Sequence, residues 1–216
     1  MPPNAHRRRR APVLIALTGS IGMGKSTTAQ LFVREGCAFY DADAAVHRLY
    51  AAGGAAVDAV ARLVPEARAG DAIDRAALAR AVSGKPDQLR QLEQIVHPLV
   101  GEDRARFLAD AARRGVRFVL LDVPLLFETG ADAASDYTVV VSTSAKEQRR
   151  RVLARAGMTE EIFAGLLRRQ MPDAEKRQRA DFLVDSSHGI APAHAQVKQI
   201  LQEIERREER KAGESE

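Results

Sequence analysis

Leu14–Phe32 reads LIALTGSIGMGKSTTAQLF. The apolar run Val13–Thr18 predicts a central parallel strand covered on both faces. Ser26–Glu35 predicts a helix closed by Gly36 at the C′ position. Between them, Gly19–Ser26 matches G-x-x-x-x-G-K-[ST], in the strand–loop–helix context that makes the pattern specific. Glycines let successive N–H groups turn inward around phosphates, and the helix N-terminus adds partial positive charge. Gly22, Met23 and Gly24 are expected to wrap the phosphates. Lys25 is expected on the β- and γ-phosphates, Ser26 on Mg²⁺ and Thr27 on the α-phosphate. The bland alternative, a glycine-rich turn with an incidental lysine, leaves the downstream carboxylates unexplained. A nucleoside triphosphate is the expected ligand.

Working outward, further short strands are expected at CAFYDAD, Phe118–Asp122, Tyr137–Ser142 and Phe182–Val184, alternating with helices. That order implies βαβ units with right-handed crossovers. The fold class is therefore α/β: a P-loop NTPase-type, doubly wound parallel sheet of about five strands. Residues from about 53 to 115 are alanine-rich and helical in pattern, broken by Gly53-Gly54, Pro65, Gly70 and Ser83-Gly84. They read as a helical insertion. From Ile190 an amphipathic helix becomes fully charged, and 206–216 are expected to be a frayed tail.

The chain has 216 residues, enough for one well-buried core with a small inserted part. Its net charge is +4, but Arg7–Arg10 alone supply that excess, so the balance argues for no nucleic-acid face on the folded domain. Residues 1–11 read as a disordered basic arm. Cys37 is the single cysteine, which excludes an internal disulfide and a cysteine-cluster metal site. A reducing, cytoplasmic setting fits. No apolar run approaches the roughly 18 residues of a membrane span. The basic start followed by an apolar run is too short for a secretory signal and has no cleavage site.

What lies beyond the phosphates separates P-loop classes. A GTPase needs N/T-K-x-D and D-x-x-G; neither is present. A motor ATPase places Asp-Glu after its acidic strand, whereas Asp122 is followed by Val123-Pro124. The remaining reading is a kinase with a small acceptor in the crevice beyond the strand C-termini. Asp41 and Asp43 follow the second strand. Asp43 is the candidate base that takes the acceptor hydroxyl's proton, and Asp41 a candidate to reach the metal through water. The alternative for both is helix capping. Asp122 is the candidate carboxylate for Mg²⁺. Residues 146–180 hold twice as many Lys/Arg as Asp/Glu and form a helical hairpin suited to a lid, with Arg155 before its turn as the lead candidate and Arg151 sharing its face. His97 could contact the acceptor or cap a helix.

With these pieces placed, the chain resembles the dephospho-CoA kinase family. The landmarks are ALTGSIGMGKST, YDAD, IVHPLV, LLDVPLLFETG, EQRRRVLARAGMT with RRQ, and ADFLVDSS, spanning about residues 13–205. The resemblance implies phosphorylation of the ribose 3′-hydroxyl of dephospho-CoA by MgATP. It implies Asp43 as base, Arg155 and Gln170 at the nucleotide, and His97 at the acceptor. Domain limits follow: a kinase domain over 12–205, with the acceptor-binding insertion at about 53–115 and the lid at about 146–180. A monomer or weak homo-oligomer needing neither membrane nor nucleic acid is expected. Ser20 and Met23 depart from the family's smaller residues at tolerant positions. Ser186 replaces a frequent asparagine near the adenine. The rivals are another small-molecule kinase and a non-enzymatic nucleotide-dependent binder using Arg7–Arg10.

Overall fold

The computed structural model describes residues 11–214. Arg7–Arg10, and with them nearly all of the expected arm, lie outside the described residues. The elements run β1 (Val13–Thr18), α1 (Lys25–Arg34), β2 (Ala38–Asp41), α2 (Ala42–Tyr50), α3 (Val57–Leu63), β3 (Arg68–Ala69), β4 (Ala72–Ile73), α4 (Arg75–Val82) and α5 (Pro86–Arg113). They continue with β5 (Phe118–Asp122), β6 (Tyr137–Ser142), α6 (Ala145–Leu153), α7 (Glu160–Leu167), α8 (Asp173–Arg179), β7 (Phe182–Asp185) and α9 (Ile190–Gly213). Two compact units result. Among the described residues, one comprises 11–39 together with 114–214; the other is Tyr40–Arg113.

The five-stranded sheet has the order β2-β5-β1-β6-β7, as the alternation of strands and helices predicts. β1 is parallel to β5, with Leu17 opposite Asp122, and to β6, with Thr18 opposite Val140. β6 is parallel to β7, with Ser142 opposite Asp185. This register delivers the strand C-termini to one edge of the sheet. Alternation along the strands sends Ile15, Leu17, Val139 and Val141 to one face, against Leu31 and Phe32 of α1 and Val197, Ile200 and Ile204 of α9. Ala16 and Val140 face the other way, onto Leu126 and Phe127. All six residues of β6 are buried, hence its unbroken YTVVVS.

The second unit has its own core, in which Leu49, Val60, Val64, Ile73, Leu78, Leu92 and Val96 pack together. It begins at Tyr40, earlier than the insertion boundary read near residue 53. It also contains an antiparallel pair, β3 with β4, turning through Gly70 at φ 65°. Strands of two residues are too short to leave a periodic signal. Pro98 lies inside α5.

The charged stretch from residue 206, expected to fray, is helical to Gly213. Arg207 sits 4.8 Å over the Phe182 ring, and the Tyr137 hydroxyl donates to Glu208 at 2.8 Å. The Lys211 ammonium lies 4.9 Å over the Tyr137 ring. No helix among the described residues is long and apolar enough to cross a membrane. Ending the chain after Glu205 is expected to lower the unfolding free energy by about 1–2 kcal/mol in urea titrations, because ring-face cations and a hydrogen bond are lost together. An unchanged midpoint would mean that the docking contributes nothing.

Candidate active site

The Gly19–Ser26 loop leaves β1 at the sheet's C-terminal edge and enters α1. Its glycines are required by geometry. A Cβ on Gly19 would meet the Val141 carbonyl oxygen at 2.7 Å, and one on Gly22 would meet Val152 Cγ2 at 2.4 Å. Gly22 and Gly24 have φ of 79° and 91°, in the left-handed region. Gly24 is the N-cap of α1, with no side-chain cap and no acid in the first turn. The amides of Gly22, Gly24, Lys25, Ser26 and Thr27 find no acceptor among the described residues, and the first intrahelical bond is Thr28 N–H to the Gly24 carbonyl at 3.0 Å. A row of free N–H groups at a helix N-terminus is an anion site. Ser20 and Met23 keep ordinary backbone angles, since no described non-glycine residue has positive φ. Met23 is buried at 2% exposure, so its bulk is turned into the protein.

The loop is held from behind by side chains that arrive late in the sequence. The Ser186 hydroxyl donates to the Met23 carbonyl at 2.7 Å. Arg151 Nη1 donates to Ser186 Oγ and Nη2 to the Ser186 carbonyl, both at 2.8 Å. Arg151 Nε also donates to Glu147 Oε1 at 2.7 Å. Hydrogen bonds from Arg150 and Arg151 hold the Glu147 carboxyl down at about 2. The Ile21 peptide is gripped on both sides: its N–H donates to Gln170 Oε1 at 3.1 Å, and its carbonyl accepts from Gln148 Nε2 at 2.8 Å. Gln148 and the support role of Ser186 were not anticipated. The Glu147–Arg151 spacing is visible as an i,i+4 pair, but nothing local points Arg151 at Ser186.

Lys25 and Asp122, assigned separately to phosphate and metal, meet as an ion pair between the Lys25 ammonium and Asp122 Oδ1. Ser26 and Thr27 are exposed on the first turn of α1. Among the described residues, no group of three or more His, Cys, Asp or Glu could hold a metal alone. A hydroxyl and one carboxylate nevertheless fit Mg²⁺, which keeps waters and phosphate oxygens for most of its shell. Beyond α6, Arg155 is exposed and forms no ion pair among the described residues, whereas Arg149 pairs with Glu160 and Arg150 with Glu147.

In the second unit, Asp41 is the N-cap of α2, its Oδ1 accepting from Ala44 N at 3.0 Å. The capping alternative thus describes Asp41. Asp43, in the first turn of α2, is exposed and makes no side-chain hydrogen bond among the described residues. His97 is exposed in the interior of α5, which rules out a capping role. No hydrogen bond joins Asp43 and His97.

A Bradyrhizobium diazoefficiens protein named dephospho-CoA kinase is 50% identical over 92% of this chain and 99% of its own length. One from Rhizobium etli with the same name is 52% identical over 89% of this chain and 94% of its own. A crystal structure from Thermus thermophilus superposes with a TM-score of 0.75 at 37% identity, covering 90% of this chain and 98% of that one. The dephospho-CoA kinase of Campylobacter jejuni shares the fold, with a TM-score of 0.62 at 20% identity over 90% of this chain and 98% of that one. Since the dephospho-CoA kinase family model matches residues 13–192, the phosphate loop and the strands and helices that support it included, this chain belongs to the dephospho-CoA kinase family.

Proposed function

We propose that this kinase moves the γ-phosphate of ATP to the ribose 3′-hydroxyl of dephospho-CoA, giving coenzyme A and ADP. The observation that carries the donor half is the set of unpartnered amides of Gly22, Gly24, Lys25, Ser26 and Thr27, placed at a helix N-terminus with no side-chain cap. Three negative phosphate groups suit those donors and the Lys25 ammonium beside them.

Asp43 takes the proton of the attacking 3′-hydroxyl as the oxygen bonds to phosphorus and the bond to the β-phosphate oxygen breaks. Its exposed carboxylate, free of any capping bond, supports this role over Asp41. Ser26 and Asp122 would hold Mg²⁺ together with ATP, and the ion would supply neutralisation of the phosphate charge. Arg155, with no acid partner among the described residues, supplies positive charge to the transferring group from the lid at about 146–180. Asp41 reaches the ion's waters only if it can leave its cap. His97 sits on the acceptor side, in an insertion that binds dephospho-CoA. The reaction needs no membrane or nucleic acid, and a cytoplasmic monomer or weak homo-oligomer suffices for it.

Asp43→Asn is expected to lower kcat by about 10²–10⁴-fold, the range of general-base contributions, with ATP affinity retained. Steady-state ADP release and direct ATP titration separate the two, and wild-type turnover would remove Asp43 from the mechanism. Gly22→Ala is expected to weaken ATP binding at least tenfold and to destabilise by about 1–3 kcal/mol, since the new methyl must displace Val152 at a left-handed position. Calorimetric titration and thermal melting measure both effects.

A further inference from the structure

Behind the phosphate loop, Lys176 of α8 is fully buried, and its ammonium lies 2.8 Å from Glu128 Oε1. Glu128 belongs to the segment that follows β5 and Asp122. The same Oε1 accepts from Met171 N at 2.7 Å. Met171 adjoins Gln170, whose Oε1 accepts the Ile21 N–H of the phosphate loop. One polar train therefore runs from Lys176 through Glu128 and the Met171 peptide to the loop. Burial pushes the Glu128 carboxyl up, but Lys176 and the Met171 N–H outweigh it, so the group stays ionised.

As a stabilising device this pair is poor. Glu128 Oε2 and Asp173 Oδ1 are buried without hydrogen-bond partners, and the Lys176 ammonium makes no well-aligned hydrogen bond despite its short ion-pair distance. Pairs of this kind are commonly replaced by apolar residues at no loss of stability. What an apolar pair cannot do is accept the Met171 N–H.

We propose that Glu128, held by Lys176, is a positioning residue for nucleotide binding: it fixes the Gln170-Met171 segment so that Gln170 pins Ile21 and keeps the loop's amides turned toward phosphate. This rests on the reading that the loop binds the phosphates of ATP.

The test is calorimetric titration of a non-hydrolysable ATP analogue into the full-length protein, with thermal melting in parallel. Glu128→Met with Lys176→Met is expected to melt at or above the wild-type temperature while binding the analogue about tenfold more weakly. Gln170→Leu should weaken binding by a similar factor. All three changes together should still weaken it about tenfold rather than about a hundredfold, because residues acting through one contact are not additive. Glu128→Gln with Lys176→Met keeps an oxygen for Met171 without a buried charge, and is expected to return affinity to near wild type.

Wild-type affinity in the Met/Met variant, multiplicative losses in the triple variant, or no recovery with glutamine would each overturn the proposal. Loss of folding in both pair variants would also overturn it, by making the pair structural. Wild-type protein that fails to bind the analogue would sink the phosphate-loop reading itself, an outcome distinct from all of these.

Discussion

A loop that offers its backbone amides to phosphate cannot use those amides to hold itself together. Everything around Gly19–Ser26 answers that constraint. Among the described residues the amides of Gly22, Gly24, Lys25, Ser26 and Thr27 are left unpartnered, and only the Met23 N–H turns back onto the loop, to the Ser20 carbonyl, so the loop's remaining groups must be fixed by other parts of the chain. Ser186 takes the Met23 carbonyl, Gln148 takes the Ile21 carbonyl, and Gln170 takes the Ile21 N–H. Each of these bonds is made by a side chain to the loop's backbone, which leaves the loop residues free to vary where no Cβ clashes. Ser20 and Met23 use that freedom; Gly19 and Gly22 have none.

The parallel register makes this arrangement possible. With Leu17 opposite Asp122 and Ser142 opposite Asp185, the ends of β1, β5, β6 and β7 reach a common edge. Asp122 then meets Lys25 directly, and Ser186, one residue past β7, can accept Arg151 and donate to the loop. Each parallel pairing needs a crossover, and those crossovers are the helices that carry Gln148 and Arg151. The supports are thus consequences of topology: residues distant in the chain meet because the strands between them run in one direction.

What the sequence revealed and what it hid divide along the same line. β1, the loop and α1 are local, and their apolar run, glycines and Gly36 stop are readable without a partner. Asp41 and Asp43 could be placed after β2 and Asp43 preferred as the base, but which of them caps α2 depends on backbone angles and was not legible. Ser186 was read only as a missing asparagine. Its hydroxyl would lie 3.2 Å from a Cβ on Gly24, so the position is a tight contact rather than a vacancy. The residues from 206 onward looked like a solvated charge run because their partners, Phe182 and Tyr137, lie on β7 and β6.

The basic helices show how far composition can go and where geometry takes over. Ten Lys and Arg between 146 and 179 suggest a cationic lid, but charge alone cannot say which of them remain available. Arg149 and Arg150 are neutralised by Glu160 and Glu147, and Arg151 is spent on the loop's support. Arg155 follows one turn later with no acid at i−4, i−3, i+3 or i+4, and it forms no ion pair among the described residues. Arg168 shares that condition, whereas Arg169 has Asp173 at i+4. An arginine already paired must give up its carboxylate before it can meet a phosphate, whereas an exposed, uncommitted one gives up only water. The acids beside Arg149 and Arg150 therefore leave Arg155 as the uncommitted cation at the turn beyond α6, while α6 itself is tied to the loop by Gln148 on the Ile21 carbonyl and by Arg151 on Ser186.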